Sequence, residues 1–409
     1  MVIKIIENES YFRNTLKNPS ALKNISSLDL SYIPEKLYCR DNEINSLIHN
    51  FRGIIDCKGV YSTNCLITGK GGVGKTTTVK FFCKNFEKVA LERGIEISVN
   101  YFNCINFETR SKIIRNLFEK YCFAPGRGLA DDEALHCIIR SVKYSKKYIL
   151  LVLDEVHLLN PNHLWALLDI PETFGHHNVR MSIILISRIF DWENIENERL
   201  LSRINKIIEL KPYTYDQIRE ILKYRYEIAF RDGLLNKTNI NSIAKIIEKK
   251  KNLRHGVEIL RSCGQYADEI GTSKLNIKII QNIASKITYS EFRADIIDKL
   301  KLQLLLTFCA ILRASRLTDN QFILVNLSYK EYKRICRKFN LKPHVEMTFR
   351  KYIKDLNKMH LIISEQCKIN DKIRGRRLKI QLPFDKEDAK KIEKDLKKYI
   401  ENKFLKEEF

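Results

Sequence analysis

The sequence predicts an α/β domain built on a parallel sheet, then a small helical domain, then a basic C-terminal domain of helices closed by a hairpin. Three observations carry that expectation. Five short apolar stretches alternate with helical or looped segments, the pattern turns wholly helical at Thr214, and positive charge concentrates between residues 330 and 380. The apolar stretches, at 65–68, 95–102, 148–153, 182–186 and 207–210, have no polar face, so each reads as a strand covered on both sides. Ahead of them Asp41 reads as a helix N-cap, with Ile44, Leu47, Ile48, Phe51 and Ile55 at helical spacing behind it. After Thr214, amphipathic stretches at 214–231, 238–250, 253–270 and 276–287 break at Asp232-Gly233 and Gly271-Thr272. They are too short to hide a sheet and should form a domain of their own. The resulting divisions are 1–30, 31–212, 213–290, 291–385 and a charged terminal helix over 386–409.

Composition narrows the function classes. With 44% apolar residues in 409, the chain can build real cores, which excludes general disorder. The longest apolar run, 304–312, is far below the roughly 18 residues of a membrane span. The N-terminus lacks a signal-peptide core, so a cytoplasmic, nucleoid-associated protein with no membrane partner is expected. Lys and Arg number 72 against 49 Asp and Glu, a net charge of +23 that points to a polyanion, with nucleic acid preferred. The eleven cysteines never stand as close pairs and read as small core residues rather than metal ligands.

Gly69-Lys70-Gly71-Gly72-Val73-Gly74-Lys75-Thr76 fits G-x-x-x-x-G-K-[ST] in full, between a strand and a helix that runs through Val79, Phe82 and Phe86. Backbone N–H groups of such a loop converge on phosphate oxygens at a helix N-terminus. Lys75 should reach the β- and γ-phosphates of ATP, and the Thr76 hydroxyl should ligate Mg²⁺. Further on, an apolar strand ends in Asp154-Glu155. Asp154 would hold the Mg²⁺ shell and Glu155 would polarise the attacking water. Lys70 together with Thr77 also fits the variant P-loop of partition and cell-division ATPases, which carry an extra early lysine. That group usually opens its chain with the motif and lacks the Asp-Glu pair.

From about residue 30 to 385 the order of motifs resembles the AAA+ replication initiators of archaea and eukaryotes, the origin-recognition and helicase-loader family. Ile33-Pro34-Glu35-Lys36-Leu37 with Arg40-Asp41 is similar to its entry motif, Asn103-Cys104 to its Asn-Cys signature, and Leu153-Asp154-Glu155-Val156 to its Walker B. Leu201-Ser202-Arg203, then Leu210-Lys211-Pro212-Tyr213-Thr214 and Ile218 to Arg225, resemble its arginine-finger region leading into the lid. The resemblance implies an AAA+ P-loop ATPase domain with a five-stranded parallel sheet, a helical lid and a winged helix. It implies that Pro34 and Arg40 lie beside adenine, that Tyr215 and Ile221 of the lid contribute to the ATP/ADP pocket, and that Arg254 is the second sensor. Arg203 would act in trans as an arginine finger. Ser187 and Arg188 stand where the family commonly places a polar Asn as first sensor, and Lys251-Asn252 replaces its usual glycine-acid pair. Slow or partner-dependent hydrolysis is the expectation from these departures.

Residues 330–380 hold 16 Lys/Arg and 5 Asp/Glu, a difference of +11. Helices near 293–313, 329–339 and 346–359 precede strand-like pieces at 361–364 and 378–382, the order of a winged helix whose last helix can enter a major groove. Phe349, Tyr352, Ile353, Leu356 and Met359 should face inward, leaving Arg350, Lys351 and Lys354 for DNA. A loop over 367–377 would present Arg374, Arg376 and Arg377 at its tip to a minor groove, with Lys379 on the following strand. The leading reading is an ATP-dependent initiator that binds duplex origin DNA, assembles there from monomers with other initiator subunits, and recruits the replicative helicase. The alternatives are a nucleotide-sensing transcription or plasmid-copy regulator and a partition-type ATPase.

Overall fold

A computed structural model describes residues 20–401 except 30, 125–127, 176–178, 285–286, 288–299, 301, 319–321, 359–360, 369–375, 383–388, 391, 395 and 398. The chain divides into two compact units, Met1–Ile280 and Gln281–Phe409.

The first unit is built on five parallel strands: β1 (Asn64–Gly69), β2 (Ile97–Asn103), β3 (Tyr148–Asp154), β4 (Met181–Ile186) and β5 (Lys206–Leu210). Their order across the sheet is β2-β3-β4-β1-β5. The apolar stretches therefore become the expected parallel strands, each shifted by no more than two residues. Alternation along each strand sorts the side chains into two layers. Cys65 and Ile67 of β1 and Leu150 and Val152 of β3 meet α1 (Asp41–Asp56) and α2 (Lys75–Glu92) through Leu47, Phe51, Ile54, Val79, Phe82 and Phe86. Phe82 stacks on Phe86 at 5.0 Å and Phe51 closes on both. On the opposite face Leu66, Leu151, Leu153 and Leu185 pack on α3 (Arg110–Cys122), α4 (Asp131–Ser145) and α5 (Pro161–Leu168). Burial pushes the thiols of Cys65, Cys83, Cys104, Cys263 and Cys309 up to about 12, as expected of core residues, whereas Cys57 and Cys137 are exposed and depart from that expectation.

Thr214 caps the next helix reciprocally, its Oγ1 accepting from Gln217 N while Gln217 Oε1 accepts from Thr214 N. Lid helices follow with breaks where the sequence places them: α6 (Tyr215–Ala229), α7 (Lys237–Lys250) and α8 (Leu253–Ile270), and the fourth expected stretch is helical over 277–284. Residues 20–29, which show no period, are held on this lid. Lys23 N and Asn24 N donate to Ala229 O, Arg225 Nη1 donates to Ser27 O at 2.7 Å, and Leu22 fills the space a side chain at Gly264 would occupy.

In the second unit α9 (Leu302–Arg316), α10 (Val325–Lys338) and α11 (Glu346–Lys358) pack against an antiparallel sheet of β6 (Ile323–Leu324), β8 (Arg376–Gln381) and β7 (Ile363–Lys368), in that order. Phe349, Ile353 and Leu356 are fully buried as expected, and Ile392, Leu396 and Ile400 of the terminal segment join the same core. Two expectations are corrected. β6 was not anticipated, and the hairpin pairs from Ile363↔Gln381 out to Lys368↔Arg376. Arg376 and Arg377 thus lie in a strand rather than at a loop tip, because a short basic stretch carries no apolar alternation by which a strand could be told from a loop. Arg374 and Met359 fall outside the described residues, as does the start of the helix expected from 293.

Candidate nucleotide site and nucleic-acid interface

The P-loop leaves β1 at its C-terminal end, with Asp154 at the same end of β3 and Ser187 beyond β4. Ligands of open α/β sheets bind at this edge. Gly69, Gly72 and Gly74 have φ of 145°, 73° and 88°, which favour glycine. Contacts demand glycine as well: a Cβ on Gly69 would lie 2.5 Å from Leu210 O. Val73 is buried beneath the loop, while Lys70 and Gly71 are exposed. Lys75 opens α2; its Nζ donates to Gly69 O and Lys70 O, both at 2.9 Å. Burial draws its ammonium down to about 8, against the opposing pull of Glu155 and Asp154.

Asp154 is 5% exposed, and both of its oxygens are engaged. Oδ1 accepts from Glu155 N at 2.9 Å; Oδ2 accepts from Thr76 Oγ1 at 2.8 Å and from the Tyr101 hydroxyl. A threonine hydroxyl and a carboxylate so joined at the foot of a P-loop are an oxygen donor set that suits Mg²⁺. Thr77 is the third residue of α2 and half-buried.

Glu155 sits at φ 52° with Oε2 buried and without a hydrogen bond. Two side chains face that oxygen, the Arg188 guanidinium through Nε at 3.7 Å and the His157 imidazole through Nδ1 at 3.6 Å. Asp191 Oδ2 completes the cluster at 3.6 Å from both Arg188 Nε and His157 Nε2, and Ser187 Oγ lies 3.3 Å from His157 Nδ1. Burial lowers the His157 pKa, while Asp191 and Glu155 oppose that shift. Of the two residues expected at the first sensor, Arg188 therefore faces Glu155 directly and Ser187 reaches only His157, with His157 and Asp191 as partners that no motif announced.

Lid and P-loop touch directly. Leu253 N donates to Gly72 O at 3.1 Å, and a Cβ on Gly72 would fall 1.8 Å from Asn252 Oδ1. Asn252 caps α8 by accepting from Arg254 N, while the preceding Lys251 adopts φ 54°, a conformation glycine takes more cheaply. Arg254 is exposed at the start of α8, close enough for its charge to depress that of Lys75. Pro34 and Ile221 are buried and Tyr215 is half-buried at the start of α6.

Arg40 does more than border a pocket. Its guanidinium donates to Val73 O and Lys211 O at 2.9 Å and to the Tyr213 hydroxyl at 3.0 Å, and pairs with Glu43 at 2.7 Å. It braces the underside of the P-loop against the segment leading to the lid. Arg203 is likewise engaged within the chain, with Asp169 at 2.8 Å and Glu172 at 3.1 Å.

On the second unit, Arg350, Lys351 and Lys354 project from the exposed side of α11, opposite Phe349 and Ile353. Arg350 is held by Glu346 at 2.7 Å, and Lys379 Nζ lies 4.8 Å from the Phe322 ring centroid. Glu331, buried in this core, pairs with Arg313 and Arg334 and fixes α10 to α9.

Comparison with known proteins follows the same order of parts. Family profiles described as an AAA domain, a Cdc6 AAA+ ATPase-type lid domain and a CDC6 C-terminal winged helix domain match residues 60–190, 219–283 and 295–392. The ORC1-type DNA replication protein of Thermococcus onnurineus is 25% identical over 367 residues, covering 87% of this chain and 86% of that one. The fold is shared with the Aeropyrum pernix ORC2 protein in its ADPNP–ADP complexes (TM-score 0.72, 20% identity, 94% of this chain and 99% of that one). It is shared also with the Aeropyrum pernix ORC1 protein in complex with DNA (TM-score 0.69, 19% identity, 96% and 100%). Neither a partition-type ATPase nor a transcription regulator is favoured by these matches, and the chain belongs to the origin-recognition and Cdc6-type AAA+ replication initiator family.

Proposed function

We propose that the chain is an ATP-dependent DNA replication initiator, acting at the nucleoid, that binds duplex origin DNA through its winged helix. ATP binding and slow hydrolysis would control its assembly with other initiator subunits and recruitment of the replicative helicase. The observation that carries this reading is the joint placement of Lys75, Thr76 and Asp154 under a lid whose helix α8 starts on the P-loop. The relatives' names, as DNA replication proteins, and the neighbour solved with DNA support the same reading.

The loop's N–H groups and the N-terminus of α2 bind the phosphates. Lys75 adds a charge-assisted hydrogen bond to their outer oxygens. Thr76 and Asp154 would hold Mg²⁺, which when bound neutralises charge on the transferring phosphoryl group. Glu155 orients the attacking water and takes up its proton. Arg188, 3.7 Å from Glu155 Oε2 and 3.6 Å from Asp191 Oδ2, ties that carboxylate into a side-chain cluster rather than leaving it free to face a water, which favours a long-lived ATP state. Arg254, at the start of the helix that touches Gly72, would report the γ-phosphate to the lid. Arg203 could serve a neighbouring subunit only after leaving Asp169 and Glu172.

Genome-wide mapping of bound DNA, for the parent chain and Lys75→Ala, tests the proposal. A few sites at replication starts, depleted in the variant, are expected. Occupancy spread over many promoters would favour a transcription regulator instead.

A further inference from the structure

Asp154 receives one more hydroxyl than the P-loop itself supplies. Tyr101 lies on β2 opposite Val152 of β3, and its hydroxyl donates to the same Oδ2 that accepts from Thr76. An ionised carboxylate offers about four acceptor positions. Glu155 N, Thr76 Oγ1 and Tyr101 take three of them. The Thr76 bond is compatible with metal binding, because a hydroxyl that donates its proton to Asp154 still turns its own lone pairs toward a cation. The Tyr101 bond is not equivalent, since it takes up one of the acceptor positions and leaves metal-bound water only the one that remains. The phenol is also well placed to stay. Lys80 Nζ lies 4.4 Å from the ring centroid, where a cation draws density from the ring and strengthens O–H donation.

We propose that Tyr101 is a positioning residue that competes with Mg²⁺-bound water for the Asp154 carboxylate, so that β2 sets how tightly the metal couples to nucleotide. The proposal rests on the nucleotide site described above and adds a residue that neither the P-loop nor the Asp-Glu motif contains. It also fixes the sign of the effect: removing the phenol oxygen strengthens metal binding, whereas a merely structural tyrosine would leave it unchanged or weaken it.

The test is Tyr101→Phe, which keeps the ring on β2 and leaves Thr76 bonded to Asp154. Affinity for a non-hydrolysable β,γ-imido analogue of ATP is measured by calorimetry in excess chelator, and Mg²⁺ is then titrated into the protein–analogue mixture. The metal-free affinity should stay within about twofold of the parent's, and the Mg²⁺ half-saturation point should fall roughly tenfold, the scale of one hydrogen bond to a charged group. An unchanged or higher half-saturation point overturns the proposal. Tyr101→Leu, which removes hydroxyl and ring together, should move the Mg²⁺ requirement in the same direction. A shift in the leucine variant alone would assign the effect to ring packing and also overturn it. If the parent chain binds no analogue under either condition, the nucleotide-site reading itself fails.

Discussion

The nucleotide site and the winged helix use basic side chains in opposite ways. Lys75 is 9% exposed, bonded into two carbonyls and drawn toward neutrality by burial. Lys351 and Lys354 stand in solvent on α11, and the charge around them is spread over many residues. A phosphate pocket concentrates its free energy in a few fixed groups, whereas a duplex-binding face distributes it over a field. The pocket should therefore fail at single positions and the helical face should weaken by degrees.

Lys75→Ala gives the largest expected effect, a loss of ATP affinity of about two orders of magnitude for one charge-assisted bond to phosphate. Calorimetry checks it, and a loss of only a few-fold would mean that the loop's N–H groups carry the site alone. The pKa of about 8 adds a pH dependence with a definite sign. Phosphate binding needs the protonated amine, so affinity should fall about tenfold between pH 7 and pH 9 as the free protein loses that proton. The same depressed pKa makes unfolding stability rise over that interval, because the unfolded lysine keeps its proton longer. A flat affinity profile would place the ammonium away from the phosphates.

On the other region, replacing Lys351 and Lys354 together by alanine should lower the salt slope of duplex binding by about two units, one per lost phosphate contact. Binding curves at several ionic strengths measure this, and an unchanged slope would remove α11 from the interface. The smallest effect is expected of Arg188→Asn, which frees Glu155 from a facing guanidinium. Single-turnover hydrolysis should rise a few-fold with ATP affinity unchanged, the reverse of what loss of a catalytic arginine would do. A fall in rate would make Arg188 a stabiliser of the transition state.

The same contrast explains what could be read from the residues in order. The P-loop was legible because phosphate geometry dictates its spacing, and the strands because burial on both faces leaves no polar alternation. The lid break was legible too, although Lys251 rather than glycine takes the positive φ there. Contacts between distant segments carried no local signal. Arg40 reaches Lys211, Tyr101 reaches Asp154, and Asn252 lies against Gly72, each closed only by the fold. β6 has two residues, too short for any period, and the basic arms of the hairpin resembled a loop.

The proposed function makes assembly on duplex DNA depend on nucleotide bound at the P-loop. Its most direct test is duplex affinity at fixed ionic strength with and without ATP, in the parent chain and in Lys75→Ala. A nucleotide-dependent change in the parent that vanishes in the variant is the predicted result; equal affinities in all four conditions would contradict it.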